Sequence, residues 1–309
     1  MSMVAEAPGY LQVFSDESVK RFTPEIVPSS IQSINGFKFK DVTIDQFKPI
    51  TARLFLPTES STATRLPVMV YFHGGGFCIG STTWLGYHHF LGDFSVVSQS
   101  IILSVDYRLA PEHRLPIAYD DCFTSLEWLS DHASVEPWLE LADLSRVFLS
   151  GDSAGGNIVH NVAIRAMRKN VGNVSIKGLL PIHPFFGSEK RTKKEMVDVA
   201  LGYVEMNDMF WGLSIPKGLT RDYFGCNVEM DDLSAAEWSE FPATVVYVAG
   251  LDFLKERGVN YAEFLAKKRV KEVVIVEAEG EAHVFHVFYP KSESTRLLQQ
   301  QMTQFMRSH

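Results

Sequence analysis

Runs of consecutive apolar residues alternate with helical patterns from residue 66 to the end of this chain. The apolar runs are rich in β-branched residues, as strands buried on both faces are. Between them lie stretches such as residues 117–132, whose apolar residues recur at helical spacing. The alternation predicts an α/β fold in which a mostly parallel central sheet is flanked by helices. The predicted strands are PVMVYF, SIILSVDY, RVFLS, SIKGLLPIHPFF with its exit, PATVVYVAG and EVVIVE.

Two segments depart from this rhythm. Residues 1–65 contain alternating runs such as FKFKDVTID and TARLFLP, which predict half-buried edge strands. Residues 186–240 separate two predicted strands and indicate a cap over the strand ends, with a plain surface excursion as the alternative. We therefore expect one domain over residues 1–309, with a lid formed by the N-terminal segment and the 186–240 insertion.

The composition argues against several classes of partner. The chain has 309 residues and a formal net charge of −8, so neither the basic face of a nucleic-acid-binding domain nor docking on an anionic membrane is expected. Cys78, Cys122 and Cys226 cannot all pair and show no CxxC spacing, which disfavours a disulfide framework and a structural zinc site. No metal and no organic cofactor are predicted. The N-terminus lacks the pattern of a signal peptide, so we expect a cytosolic protein, with the nucleus as a second location.

The segment RVFLS-GDSAGG-NIVHN carries the most specific chemical signal. It places Gly151, Ser153 and Gly155 between a predicted strand and a predicted helix, which is the context of a nucleophile elbow. A serine hydroxyl needs a base and the base needs an orienting acid, and in this architecture the acid and then the histidine follow the serine along the chain. A plain glycine-rich turn is the alternative.

Candidates for the acid and the base follow the last two predicted strands. Asp252 comes directly after VVYVAG, and His283 comes just after EVVIVE. His286 is a second candidate for the base, because a residue three positions after His283 could turn its side chain to the same face of the chain. His183, His160 and His132 are better explained as structural histidines, and Asp208 and Asp222 lie in the insertion, away from any strand end.

The loop YFHGGGFCIGS, residues 71–81, indicates backbone N–H groups that bind an anion. Two phosphate-binding patterns fail here. Gly75 and Gly80 have the Walker spacing, but Ser81 stands where the lysine is required. Ile79 occupies the position of the third glycine of a dinucleotide fingerprint.

Five ordered motifs resemble the hormone-sensitive-lipase-like α/β hydrolases, and LQVFSDESVKRF resembles the plant carboxylesterases of that group. The resemblance covers about residues 8–307, and its motifs are HGGGF, YRLAPEHRLP, GDSAGGN, GLDFL and EAHVF. It implies an α/β-hydrolase fold in which Ser153 is the nucleophile, His283 the base and Asp252 its orienting acid. It also implies an oxyanion hole formed by the backbone N–H groups of Gly74, Gly75 and Ala154.

The resemblance implies a serine carboxylesterase acting on a small apolar ester or lactone. PFFGSEKRT and DMFWGLSIPKGLTRD resemble the branch that includes strigolactone-hydrolysing members. The same plant group contains non-hydrolytic hormone receptors without the catalytic histidine, and dehydratases or cyclases with an altered serine, histidine or glycine loop. These remain the alternatives, although this chain keeps all three features. Apolar lining of the substrate pocket is expected from five aromatic residues that could equally be plain core: Phe77, Phe185, Phe186, Phe210 and Trp211.

Overall fold

A computed structural model describes residues 2–30, 33–59, 65–197 and 201–309. Its strands are β1 (Met3–Ala7), β2 (Leu11–Phe14), β3 (Val19–Arg21), β4 (Ser33–Ile34), β5 (Phe37–Asp45), β6 (Ile50–Pro57), β7 (Leu66–Phe72), β8 (Ile101–Asp106), β9 (Ala142–Asp152), β10 (Ile176–Ile182), β11 (Ala243–Ala249) and β12 (Val273–Ala278). Its helices are α1 (Leu85–Ser98), α2 (Ile117–His132), α3 (Ala154–Arg168), α4 (Leu201–Ser214), α5 (Ala235–Glu240), α6 (Lys255–Lys267), α7 (Phe285–Phe288) and α8 (Glu293–Ser308).

Nine of the strands form one central sheet in the order β12-β11-β10-β9-β7-β8-β6-β5-β4. The six strands β12, β11, β10, β9, β7 and β8 pair in parallel with their neighbours in that order. Strands β6, β5 and β4 add antiparallel pairs at the β8 edge. The predicted α/β-hydrolase architecture, with a mostly parallel sheet flanked by helices, is confirmed.

Alternate residues of each central strand enter two apolar clusters on opposite faces of the sheet. In β7, Val68 and Val70 belong to one cluster, which includes residues of α2, α3 and α6. Met69 and Tyr71 belong to the other, which includes residues of α1 and α8. Successive side chains of a strand point to opposite faces. A strand covered on both faces is therefore apolar throughout, which explains the unbroken runs in the sequence.

The N-terminal segment forms a separate antiparallel sheet of β1, β2 and β3. Arg21 fastens this sheet to the glycine-loop region, because its guanidinium donates to the carbonyl oxygens of Cys78 at 2.7 Å and Ala110 at 2.8 Å. The same side chain forms a salt bridge with Glu112. The runs FKFKDVTID and TARLFLP instead form β5 and β6 of the central sheet.

The described part of the 186–240 insertion includes α4, α5 and the short 3-10 turns Lys194–Met196 and Val228–Met230. A buried ion pair joins the first turn to α6, since Arg257 donates to both carboxylate oxygens of Glu195 at 2.8 and 2.6 Å. In the part of the chain that the structure describes, no helix is both long and apolar enough to span a membrane.

Candidate active site

Ser153 occupies a sharp turn between β9 and α3. Its backbone has φ 52° and ψ −116°, an unfavourable conformation for a residue with a side chain. A Cβ at Gly155 or Gly151 would overlap the carbonyl oxygen of Phe72 on the neighbouring strand, so only glycine fits at these two positions. The spacing G-x-S-x-G thus follows from how closely the turn approaches β7.

Asp252 and His283 form a hydrogen-bonded pair at the ends of β11 and β12. Nδ1 of His283 lies 2.8 Å from Oδ2 of Asp252, and the backbone N–H of Leu254 donates to Oδ1 at 2.8 Å. Asp252 is buried, whereas the His283 side chain is 34% exposed. The carboxylate is therefore shielded from water, while the ring it holds is open to the cavity.

The charges of this pair stabilise each other. Burial alone would lower the pKa of His283, but the charge of Asp252, the hydrogen bond to it and the charge of Asp152 outweigh burial and raise that pKa. Burial pushes the pKa of Asp252 upward, but the charge and the hydrogen bond of His283 hold it below its ordinary value. Asp252 consequently stays ionised and favours a proton on His283.

Ser153 and His283 line one cavity of about 490 Å³. No hydrogen bond joins these two side chains among the described residues. A nucleophile and its base often come into hydrogen-bonding distance only when a substrate is bound. The wall of one cavity therefore carries both the serine and an imidazole whose Nδ1 is already oriented by a carboxylate.

His286 and His183 are enclosed in the protein and have structural roles. His286 is fully buried, with Nε2 3.4 Å from the Tyr71 hydroxyl, and burial holds its pKa well below the ordinary value. Nδ1 of His183 accepts the backbone N–H of Val284 at 2.9 Å, and burial lowers the pKa of His183 to about 3. Neither ring is on the wall of the serine cavity.

His160 also has a carboxylate partner, but it lies in α3, seven residues after Ser153. Its Nε2 lies 2.7 Å from Asp231, and its Nδ1 lies 3.1 Å from the Tyr261 hydroxyl. His132 stacks on Trp128 within α2. Neither histidine is on the cavity wall, so His283 is the candidate base that combines an acidic partner with access to Ser153.

The glycine loop requires one correction. The backbone N–H of Gly74 is already used, because it donates to the Tyr87 hydroxyl at 2.9 Å and to Asp152 Oδ1 at 3.1 Å. The next two residues of the loop, Gly75 and Gly76, lie on the cavity wall. The prediction that Gly74 donates to a bound oxyanion is therefore wrong in this structure.

Three other backbone N–H groups are available near Ser153. In the described chain, no acceptor takes the N–H of Gly75 or Gly76. Ala154 is the first residue of α3, where a backbone N–H has no partner within the helix. The set that could bind a negatively charged oxygen is accordingly Gly75, Gly76 and Ala154.

Asp152, next to the serine, holds the glycine loop in place. It accepts from the hydroxyls of Tyr71 at 2.8 Å and Tyr87 at 2.9 Å, besides the N–H of Gly74. Burial raises the pKa of Asp152, and the two tyrosine hydrogen bonds oppose this effect. Asp152 thus connects the Ser153 turn to the loop that contains Gly75 and Gly76.

The structure places the five aromatic residues predicted as pocket lining in different surroundings. Phe185 and Phe210 line the cavity, but Phe77, Phe186 and Trp211 do not. The Trp211 ring stacks on Phe185 with ring centroids 4.4 Å apart, and Phe77 lies 5.6 Å from Trp211. Trp211 therefore packs against a ring that lines the cavity, and Phe77 packs against Trp211 in turn. Phe186 packs on a different ring, with its centroid 4.6 Å from that of Tyr261.

Several cavity residues were not predicted from the sequence. They come from the N-terminal segment, the end of the glycine loop, the insertion and α7: Tyr10, Trp84, Lys194, Tyr203, Met206, Asn207 and Phe288. Trp84 comes three residues after the glycine loop ends at Ser81, and this position in the sequence could have indicated that it lies near the cavity. Lys194 lies in the charged run KRTKKE, where nothing in the sequence distinguishes it from a solvated lysine.

One group of side chains has the atoms to hold a metal ion. In the part of the chain that the structure describes, this is His183, Asp252 and His283, whose potential ligand atoms lie within 4.8 Å of one another. Asp252 and His283 already share a hydrogen bond, and Nδ1 of His183 accepts from Val284. Hydrogen bonding accounts for this cluster.

Comparison with known proteins places the chain in a family. Residues 69–287 match a family model described as the α/β hydrolase fold. Probable carboxylesterase 6 of Arabidopsis thaliana is 36% identical over 294 residues, covering 92% of this chain and 85% of that protein. This chain belongs to the plant carboxylesterases of the α/β-hydrolase family. The relatives that are named as probable carboxylesterases identify this chain as a carboxylic ester hydrolase.

Two further relatives show how far the similarity of this carboxylesterase extends. Tuliposide A-converting enzyme 1, a protein of Tulipa gesneriana named as chloroplastic, is 36% identical over 291 residues, covering 92% of this chain and 73% of that protein. An esterase structure from Pyrobaculum calidifontis superimposes with a TM-score of 0.74 at 29% identity, covering 88% of this chain and 85% of that one. The fold is therefore shared with esterases from distant organisms.

Proposed function

We propose that this enzyme is a serine carboxylesterase that hydrolyses a small apolar ester or lactone through Ser153, His283 and Asp252. One observation carries the proposal. The hydrogen-bonded Asp252–His283 pair and the strained Ser153 turn share one cavity. A serine, an imidazole with an oriented second nitrogen and a buried carboxylate are what acyl transfer by a serine nucleophile requires.

The proposed reaction begins with a proton transfer from Ser153 to His283. The serine oxygen attacks the ester carbonyl while Nε2 of His283 takes the hydroxyl proton. Asp252 stabilises the imidazolium that forms, as the raised pKa of His283 indicates. His283 then protonates the departing alcohol, and a water molecule activated by the same ring releases the acid from Ser153.

The negative charge of the tetrahedral intermediate needs donors that are in place before the reaction. We propose the backbone N–H groups of Gly75, Gly76 and Ala154 for this role. Gly75 has φ +105°, and a Cβ there would overlap the carbonyl oxygen of Ile79. Removing one such donor typically costs about 3–4 kcal/mol of transition-state stabilisation, because the donors are aimed at charge that exists only during the reaction.

The cavity suggests the kind of substrate. Its volume of about 490 Å³ and its apolar side chains from Phe185, Phe210 and Trp84 fit a small, largely apolar ester or lactone. A strigolactone, with its enol-ether-linked lactone, is one such substrate, and we propose this class for testing. We also propose that the N-terminal sheet and the insertion form a lid, because Tyr10 and α4 contribute to the cavity wall.

A panel of p-nitrophenyl acyl esters, plant esters and lactones tests the activity directly, with products identified by mass spectrometry. The wild-type protein should release acid and alcohol, and Ser153→Ala should not. Ser150→Ala is the matched control, since Ser150 is a buried serine of β9, the strand that precedes Ser153, and it donates to the Leu180 carbonyl at 2.8 Å. Turnover that survives Ser153→Ala contradicts the proposal.

The alternatives differ from an esterase in their products. A hormone-binding protein would bind ligand without turnover, and a dehydratase or cyclase would yield products formed without hydrolysis. The Asp252–His283 pair and the available Gly75 and Gly76 N–H groups favour hydrolysis.

We also propose that the enzyme acts in the cytosol or the nucleus. Because two of the relatives from Tulipa gesneriana are named as chloroplastic, imaging of a C-terminal fluorescent fusion should include a chloroplast marker.

A further inference from the structure

We infer that Lys194 binds an anionic group of the substrate, and that the preferred substrates are esters that also carry a free carboxylate. This inference rests on the proposed esterase function and adds a substrate class to it. Among the described residues that line the cavity, Lys194 is the one lysine or arginine. Most of its neighbours on the wall are apolar or aromatic, and Lys194 itself is half-buried there.

The structure holds Lys194 in place on that wall. Its backbone N–H donates to Glu256 Oε2 at 2.8 Å, and its ammonium Nζ donates to the Asp252 carbonyl oxygen at 2.5 Å. The next residue, Glu195, forms the buried ion pair with Arg257 that ties the turn to α6. The lysine is therefore on a fixed turn, unlike a solvated side chain on a mobile loop.

The Lys194 ammonium retains unused binding capacity. It has three N–H donors, and the Asp252 carbonyl takes one of them. Within the described part of the chain, no carboxylate oxygen lies within 4.0 Å of Nζ. Glu256 directs its carboxylate to the backbone N–H instead, and Asp252 directs its own to His283.

The position of Lys194 also limits the length of the substrate. Its ammonium contacts the backbone of the residue whose side chain orients His283, so a carboxylate bound there lies beside the reacting ester. A half-ester of a short dicarboxylic acid has both groups close enough together. The carboxylate would bind to Lys194 while the ester carbonyl faces Ser153.

Monoethyl succinate and ethyl butyrate form a matched pair of test substrates, because a carboxylate replaces a terminal methyl group on the same acyl chain. We expect Lys194→Met to lower kcat/KM for monoethyl succinate by roughly tenfold or more, mainly through KM, since a charge-assisted hydrogen bond is lost. The ratio of the value for monoethyl succinate to the value for ethyl butyrate should therefore fall, because ethyl butyrate has no carboxylate for the lysine to bind. Lys193→Met is the control, because Lys193 is the exposed neighbour outside the cavity.

The ratio of the two kcat/KM values decides the inference. A lower folded fraction or a misplaced Asp252 would reduce both values equally and leave the ratio unchanged. A ratio that is the same in wild type and Lys194→Met overturns the role of Lys194, whatever the absolute rates. Absence of ethanol release from both esters in the wild type would instead contradict the esterase function itself.

Discussion

Nδ1 of His283 lies 2.8 Å from a carboxylate oxygen of Asp252, although 30 residues separate them in the chain. The two residues meet because β11 and β12 are adjacent parallel strands whose carboxyl ends lie at the same sheet edge. Asp252 follows the first strand and His283 the second. The order of the strands therefore assembles the pair, and the cavity gives it access to Ser153.

Asp252→Asn should reduce kcat by roughly 10³–10⁴-fold, because an amide stabilises neither the right tautomer nor the imidazolium of His283. Steady-state hydrolysis of a p-nitrophenyl ester measures the effect. Asp231→Asn is the matched control, since Asp231 pairs with His160, which is not on the cavity wall. Comparable losses in the two variants would mean that the effect is structural.

The pH profile should reflect the raised pKa of His283. Hydrolysis needs the neutral imidazole, so kcat/KM should fall as pH decreases through a pKa above the ordinary value of 6.5. In Asp252→Asn the attraction to the protonated ring is gone and burial remains, so the acidic limb should move to lower pH. A limb that moves to higher pH, or does not move, contradicts the coupling between the two residues.

Gly75→Ala should lower kcat by roughly 10²–10³-fold with a much smaller change in KM, because a donor is displaced that acts mainly in the transition state. The new methyl group meets the Ile79 backbone at a residue with φ +105°, so the loop must move. Gly212→Ala serves as the control, since its Cβ would meet nothing within 4 Å. Equal losses in kcat and in substrate affinity would count against the oxyanion role.

Tyr87→Phe should lower the free energy of unfolding by about 1–3 kcal/mol, because buried Asp152 loses a hydrogen-bond donor. The Tyr87 hydroxyl donates to Asp152 at 2.9 Å and accepts from Gly74 at 2.9 Å. Urea denaturation measures the change, and Tyr289→Phe, at a side chain that is 67% exposed, is the control. A stability equal to that of the control would show that the network contributes nothing.

The elbow and the acid–base pair could be predicted from the sequence because each depends on local pattern and strand order. Ser153 needs glycine on both sides, and Asp252 and His283 each follow a strand that can be recognised from its own residues. His283 could be separated from His286 only by the resemblance to the family. In the structure, burial separates them, since His286 is fully enclosed.

The role of Gly74 could not be predicted from the glycine motif. Its N–H is taken by Asp152 and Tyr87, which come from β9 and α1 and reach it only in the folded chain. The same limit applies to the aromatic residues. Phe185 and Trp211 are equally apolar, and only their packing decides which ring faces the cavity.

Covalent labelling with a fluorophosphonate, followed by peptide mass spectrometry, tests the central role of Ser153 most directly. We expect one adduct per chain, located on the peptide that contains Ser153, with hydrolytic activity lost in proportion to labelling. Ser153→Ala should neither react nor hydrolyse esters, and Ser150→Ala should do both. Labelling at another residue that abolishes activity, or full hydrolysis by Ser153→Ala, would contradict the account.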